Sequence, residues 1–210
     1  MMKIDFLSAS ADRAGRYAVK FSDGTTLRLY RQTVEDFALY NGQEFSDETF
    51  AELKTAASRM SAKMRAVRTV AASSVSKAEL ERRLVHKGED PAHAKEAVSW
   101  MQEMRLVDDL ETAKQIVSRC ITKGYGKSRA KQALYEKRIP KEYWEEVLAD
   151  YPDQSEKIKE FLENKLGSIR DEKAVRKVTD ALLRRGFTYG QIRQALNELD
   201  LTDILEEEYG

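Results

Sequence analysis

Cysteine is nearly absent from this chain, with Cys120 the single thiol in 210 residues. One thiol excludes an intramolecular disulfide framework and any zinc site built from several cysteines. It fits a reducing, cytoplasmic setting. Proline numbers three and glycine ten, too few turn formers for a sandwich or barrel of many short strands. Net charge is also missing: 36 Lys and Arg balance 36 Asp and Glu, so the total points to no partner. No stretch approaches the roughly 18 apolar residues that a membrane span needs. The opening Met1-Met2-Lys3-Ile4-Asp5-Phe6 meets an acid at once and is not read as a signal peptide. What is plentiful is charge, 34% of residues beside 41% hydrophobic, the signature of helices with solvated faces.

Residues 1–45 differ from the rest. Tyr17, Val19 and Phe21 alternate with polar neighbours, as do Leu27 and Leu29 beyond the turn Ser22-Asp23-Gly24. Alternation on both sides of a glycine-containing turn predicts a β-hairpin, and Ile4, Phe6 and Leu7 offer a third strand. A short helix is expected around Thr33–Tyr40, ended by Asn41-Gly42. From Ser46 the period becomes helical. Phe50, Leu53, Ala57, Met60, Met64 and Val67 lie three or four residues apart, the stripe of one long amphipathic helix.

Cap signals then mark successive starts. Ser76 with Glu79 and Asp108 with Glu111 have capping-box spacing, and Asp90-Pro91 sets a cap before a first-turn proline. Ser168 with Asp171 and Thr188 with Gln191 are weaker versions. The result is nine helices, at about 46–72, 76–87, 91–104, 109–123, 127–138, 140–150, 154–167, 171–186 and 189–199. They group in threes and align without gaps. Leu84, Leu134 and Leu182 are preceded by Leu80, Ala130 and Val178, and followed by Gly88, Arg138 and Gly186 at the turn, then by Val98, Leu148 and Leu196. A period of about fifty residues falls within the range of helical repeats. The expected fold is mainly α: three tandem three-helix repeats in a curved, elongated array, with a small N-terminal β-hairpin region. The expected divisions are 1–45 for the hairpin and short helix, then 46–104, 105–152 and 153–205 for the repeats, and 206–210 for an acidic tail.

Several chemical signals lead nowhere. Gly126-Lys127-Ser128 resembles the end of a phosphate-binding loop, but Ile121 stands where its first glycine belongs and Gln115–Lys123 reads as helix, not strand. His86 and His93 are the only histidines and have no cysteine near them; exposed helix-end positions suit them better than a metal. Cys120 has no histidine close in sequence to activate it. Trp100 and Trp144 fall in the third helix of their repeats, where packing explains them. Neither a cofactor nor a metal nor a catalytic reaction is expected; binding a macromolecular partner is.

The stretch from Ser76 to Gly88, with Leu80 and Leu84, resembles the opening of the RecX family, the regulators of the RecA recombinase. Leu106-Val107-Asp108-Asp109-Leu110 with Ala113 resembles its second signature. Lys123-Gly124-Tyr125-Gly126-Lys127-Ser128-Arg129, running on to Leu134 and Ile139-Pro140, resembles its third. Arg184-Arg185-Gly186-Phe187, with Ile192-Arg193 and Ala195-Leu196, resembles its fourth. Roughly residues 60–200 are covered. The resemblance implies three three-helix units, a RecA filament on single-stranded DNA as partner, and restraint of that filament's ATPase and strand exchange. It brings no catalytic residues. Val70 to Val75 stands where family members carry a basic segment, and the N-terminal hairpin belongs only to longer members.

Charge is unevenly spread. Between Arg119 and Arg138 stand Lys123, Lys127, Arg129, Lys131 and Lys137 against Glu136 alone, while Arg59, Lys63, Arg65 and Arg68 form a second run. Glu198, Asp200, Asp203, Glu206, Glu207 and Glu208 make an acidic end. Gly124-Tyr125-Gly126 at the head of a helix could approach a phosphate or an acidic surface, and Tyr125 could stack on a base. The expected partner-binding set is therefore Arg119, Lys123, Tyr125, Lys127, Arg129 and Lys131. The rival reading is a helical nucleic-acid-binding module that acts on DNA without RecA, marked by steep salt dependence.

Overall fold

The structure, a computed structural model, describes residues 1–167 and 171–201. Ser168 and the acidic positions from Asp203 onward lie outside the described residues. The fold is mainly helical with a small N-terminal antiparallel sheet. The chain divides into two compact units, Met1–Val107 and Asp108–Gly210.

The first unit opens with strands β1 (Met2–Leu7), β2 (Arg16–Phe21) and β3 (Thr26–Tyr30), helix α1 (Arg31–Asp36) and a short β4 (Glu44–Phe45). All neighbours are antiparallel, in the order β3-β2-β1-β4. The predicted hairpin turn forms because Gly24 takes φ +86 and Asp23 accepts from the Thr25 amide at 2.8 Å. Helix α1 is shorter and earlier than the expected Thr33–Tyr40. Ala38 turns left-handed (φ 45) and the Leu39 amide closes on the Val34 carbonyl at 3.0 Å, which drops Leu39 into the sheet core. The two-residue β4 is too short to show alternation in the sequence.

Helix α2 (Asp47–Ala72) is capped by Ser46, which accepts from the Thr49 amide. It serves two cores. Phe50 and Leu53 pack under the sheet with Ile4, Val19, Phe21 and Leu29. Farther along, Ala62 and Ala66 pack against α3 (Lys77–His86) and α4 (Pro91–Glu103), meeting Ala94 and Ala97 where only small side chains allow a close helix pair. The buried face therefore rotates along the helix, and Met60 and Met64, expected on the inner stripe, are only half-buried.

In the second unit α5 (Asp109–Thr122), α6 (Lys127–Glu136) and α7 (Trp144–Leu148) enclose Ala113, Val117, Ala130, Leu134 and Leu148. Helix α7 is shorter than the expected 140–150. Its first turn, Lys141–Tyr143, is 3₁₀, closed by the Tyr143 amide on the Pro140 carbonyl at 3.2 Å. Helices α8 (Ser155–Leu166), α9 (Glu172–Arg184) and α10 (Tyr189–Glu198) enclose Ile158, Leu162, Leu182, Ile192 and Leu196. The weak cap signal at Thr188 proves the most complete, since Thr188 and Gln191 form a reciprocal capping box.

The aligned positions behave alike in all three helical groups. Leu84, Leu134 and Leu182 are fully buried, and Leu→Ala at such sites costs about 2–5 kcal/mol. Gly88, Arg138 and Gly186 all take positive φ, at 88°, 55° and 88°. The next amide then closes on the aligned leucine: Glu89 on Leu84 (3.1 Å), Ile139 on Leu134 (3.0 Å) and Phe187 on Leu182 (3.3 Å). All three aligned turns thus share one C-terminal motif.

Candidate functional site

The head of α6 lies at the centre of the expected partner-binding set, and its own unit already occupies it. The Gly126 amide donates to the Arg185 carbonyl at 2.9 Å. A Cβ on Gly126 would stand 2.1 Å from the Gly186 carbonyl oxygen, and one on Gly186 would stand 2.2 Å from the Arg129 nitrogen. These glycines serve a backbone-to-backbone contact between the α5–α7 and α8–α10 groups. The expected approach of a phosphate to Gly124-Tyr125-Gly126 is corrected accordingly, because the turn before α10 fills that place.

Tyr125 and Arg129 are drawn into the same contact. The Arg185 guanidinium lies 5.2 Å from the Tyr125 ring and 4.7 Å from the Phe161 ring, and donates to the Lys123 carbonyl at 2.9 Å. The Tyr125 carbonyl accepts from the Tyr151 hydroxyl at 2.6 Å, and burial pushes the Tyr151 phenol up to about 12. Arg129 is paired with Glu136 at 3.0 Å. Both side chains are partly buried and have structural partners within the unit.

Arg119, Lys123, Lys127 and Lys131 are exposed, and among the described residues none forms an ion pair. Lys127 and Lys131, one helical turn apart, line a groove of about 510 Å³ with Lys141, Trp144, Glu145 and Leu148. An adjoining hollow shares Lys141 and Trp144 and adds Tyr135, Arg138 and Ile139. Tyr135 continues the Lys127–Lys131 stripe and is 71% exposed. The Trp144 indole donates to the Ile139 carbonyl at 3.1 Å, which fixes the ring as a wall of the groove. Lys127, Lys131 and Lys141, which form no ion pair among the described residues, beside the exposed Tyr135 suit an anionic partner that also offers apolar or planar groups.

Sequence reading missed Tyr135, Lys141 and Trp144 as members of this surface. The missed signal is the position just after each aligned leucine. Val85, Tyr135 and Leu183 occupy it and are 39%, 71% and 42% exposed, so each three-helix group presents an apolar side chain to solvent at this position.

The second basic run is held internally. Arg59 pairs with Glu96 at 3.1 Å, Arg65 with the buried Glu89, and Arg68 donates to the Tyr30 hydroxyl at 2.8 Å. Lys63 lies 5.3 Å from the Trp100 ring. These residues fasten α2 to α4, to the α3–α4 turn and to the sheet. His93, expected to be an exposed helix-end residue, is instead mostly enclosed, with Nδ1 at 2.7 Å from the Ser58 hydroxyl. Glu79 is held down to about 2 by its hydrogen bonds to Arg82 and Arg83, against the opposing effect of burial. Burial pushes the Cys120 thiol up, the reverse of what a reactive thiolate needs. Among the described residues, no group of three or more His, Cys, Asp or Glu could hold a metal, and no helix is long and apolar enough to cross a membrane.

Residues 108–148 match the family model described as "RecX, second three-helix domain", and residues 153–196 that described as "RecX, third three-helix domain". The regulatory protein RecX of Vibrio parahaemolyticus is 34% identical over 122 residues, covering 57% of this chain and 79% of the relative. That of Streptococcus gordonii is 24% identical over 196 residues, 91% of this chain and 76% of the relative. A crystal structure of regulatory protein RecX superposes with a TM-score of 0.65 at 18% identity, covering 94% of this chain and 100% of that one. The crystal structure of RecX from Lactobacillus salivarius gives 0.57 at 24% identity, over 70% of this chain and 99% of that one. These two likenesses concern the fold.

Proposed function

Since the chain belongs to the RecX family of regulatory proteins, we propose that it regulates RecA by binding the RecA–DNA filament and restraining its ATPase and strand exchange. The mechanism is occupancy without catalysis: the helical repeats lie along the filament and exclude the second DNA. The observation that carries the reading is the groove of Lys127, Lys131 and Lys141 beside Tyr135 and Trp144. Its unpaired lysines suit an acidic filament surface or the DNA within it, and the exposed Tyr135 ring beside the half-buried Trp144 supplies the apolar contact that a protein partner rewards. Arg119 on α5 and Lys123 at its C-terminal cap are also exposed. Tyr125 and Arg129 contribute indirectly, by holding the head of α6 in place.

The test is RecA's single-stranded-DNA-dependent ATPase, titrated with this protein. Inhibition below one equivalent per RecA supports filament binding. No effect at excess protein, together with tight and steeply salt-dependent DNA binding alone, makes the protein a nucleic-acid-binding module instead.

A further inference from the structure

The outer face of the N-terminal sheet carries a second surface, and a β-bulge creates it. In β1, Ile4 pairs with Phe21, but the next pairs are Phe6 with Lys20 and Leu7 with Val19, so the register shifts between Ile4 and Phe6. Without that shift Phe6, two residues beyond the buried Ile4, would point into the core. The extra residue returns Leu7 to the core side and turns Phe6 outward, where it is 53% exposed.

Phe6 emerges among cations. Its cross-strand partner Lys20 is exposed, Lys20 pairs with Thr26, and the neighbouring pair on that face is Ala18 with Arg28. Lys3 is exposed on the same strand. Three acids accompany them: Asp12, already bonded to Arg16 at 2.8 Å and Arg28 at 3.2 Å, the exposed Asp5, and the exposed Glu44, cross-strand partner of Lys3. Lys3 and Lys20 form no ion pair among the described residues. A second exposed aromatic, Tyr40 (62%), lies in the turn whose Gly42 donates to the Ile4 carbonyl and whose Asn41 side chain accepts from Leu7.

We propose that this face binds single-stranded nucleic acid, with Phe6 stacking on a base and Lys3, Lys20 and Arg28 contacting the phosphates. A ring standing on a sheet among flexible cations matches what an unpaired strand offers, planar bases on a regularly charged backbone. The smallest side chain on the face, Ala18, leaves room beside the ring. The face belongs to the first unit and the α6–α7 groove to the second, and the proposal does not depend on a RecA partner.

The experiment is fluorescence anisotropy of labelled oligo(dT) at low salt with the full chain, in a Lys127→Glu, Lys131→Glu background that silences the repeat groove. Phe6→Ala is expected to weaken binding about tenfold, while Phe6→Trp retains it. Lys20→Glu is expected to weaken binding and lower the slope of log affinity against log salt by about one. Phe6 is exposed, so an unchanged melting temperature is expected for each variant. Absence of oligonucleotide binding, or equal affinity for the Phe6→Ala protein, overturns the proposal.

Discussion

Gly126 and Gly186 face each other across the α6 head with no room for a side chain on either: a Cβ on Gly126 would come within 2.1 Å of the Gly186 carbonyl oxygen. The atoms in the way are backbone, so no rotamer change relieves the clash. Gly126→Ala and Gly186→Ala should each cost more than about 2 kcal/mol in urea unfolding. Gly88, at the same turn position as Gly186, has open space around it. Its Ala variant should lose only the left-handed backbone penalty, about 1 kcal/mol.

Arg138 reverses the comparison. It holds the shared turn position at φ 55 without the freedom of glycine. Arg138→Gly removes that penalty but adds entropy to the unfolded chain, and the two are of similar size. The variant should stay within about 0.5 kcal/mol of the parent by the same urea measurement.

Arg185 joins Tyr125, Phe161 and the Lys123 carbonyl. Arg185→Ala removes two ring contacts and a charged hydrogen bond, and should destabilise the second unit by about 2 kcal/mol. Hydrogen exchange should show faster opening of amides in α5–α10, with those of α2–α4 unchanged.

Glu79 gives stability a defined pH dependence. Its carboxyl titrates at about 2 in the folded chain because Arg82 and Arg83 bind the anion, and near 4.3 when unfolded. The group therefore contributes fully above about pH 4.3, and that contribution is lost as pH falls toward 2. Glu79→Gln should cost on the order of 2 kcal/mol at neutral pH, and the gap to the parent should close as the pH drops through that window.

How much of this was legible follows from what each pattern encodes. The repeat turns were readable because a buried leucine and a left-handed residue four positions later recur together at Gly88, Arg138 and Gly186. The hairpin was readable because Tyr17, Val19 and Phe21 alternate around a glycine turn. The bulge at Asp5 was not, since one inserted residue leaves composition unchanged and shows only in pairing. Of the candidate partner-binding residues, only the exposure of the lysines was legible. Lys123, Lys127 and Lys131 are exposed as a solvated face demands, but Arg185, sixty residues away in sequence and brought beside Tyr125 only by folding, had no local sign. Trp144 looked like an ordinary packing residue and Tyr135 carried no sign of its own until α6 and α7 placed them along one groove.

The central claim is tested most directly by co-sedimentation with RecA assembled on single-stranded DNA. Three proteins are compared: the parent, Lys127→Glu with Lys131→Glu, and Arg59→Glu with Lys63→Glu as a charge-matched control on α2, each checked for folding. The account predicts that the parent pellets with the filament, that the α6 variant loses at least about tenfold in affinity, and that the folded control still pellets. If the α6 variant binds as tightly as the parent, the groove is not the filament contact. If the parent itself stays in the supernatant, the assignment to RecA regulation fails.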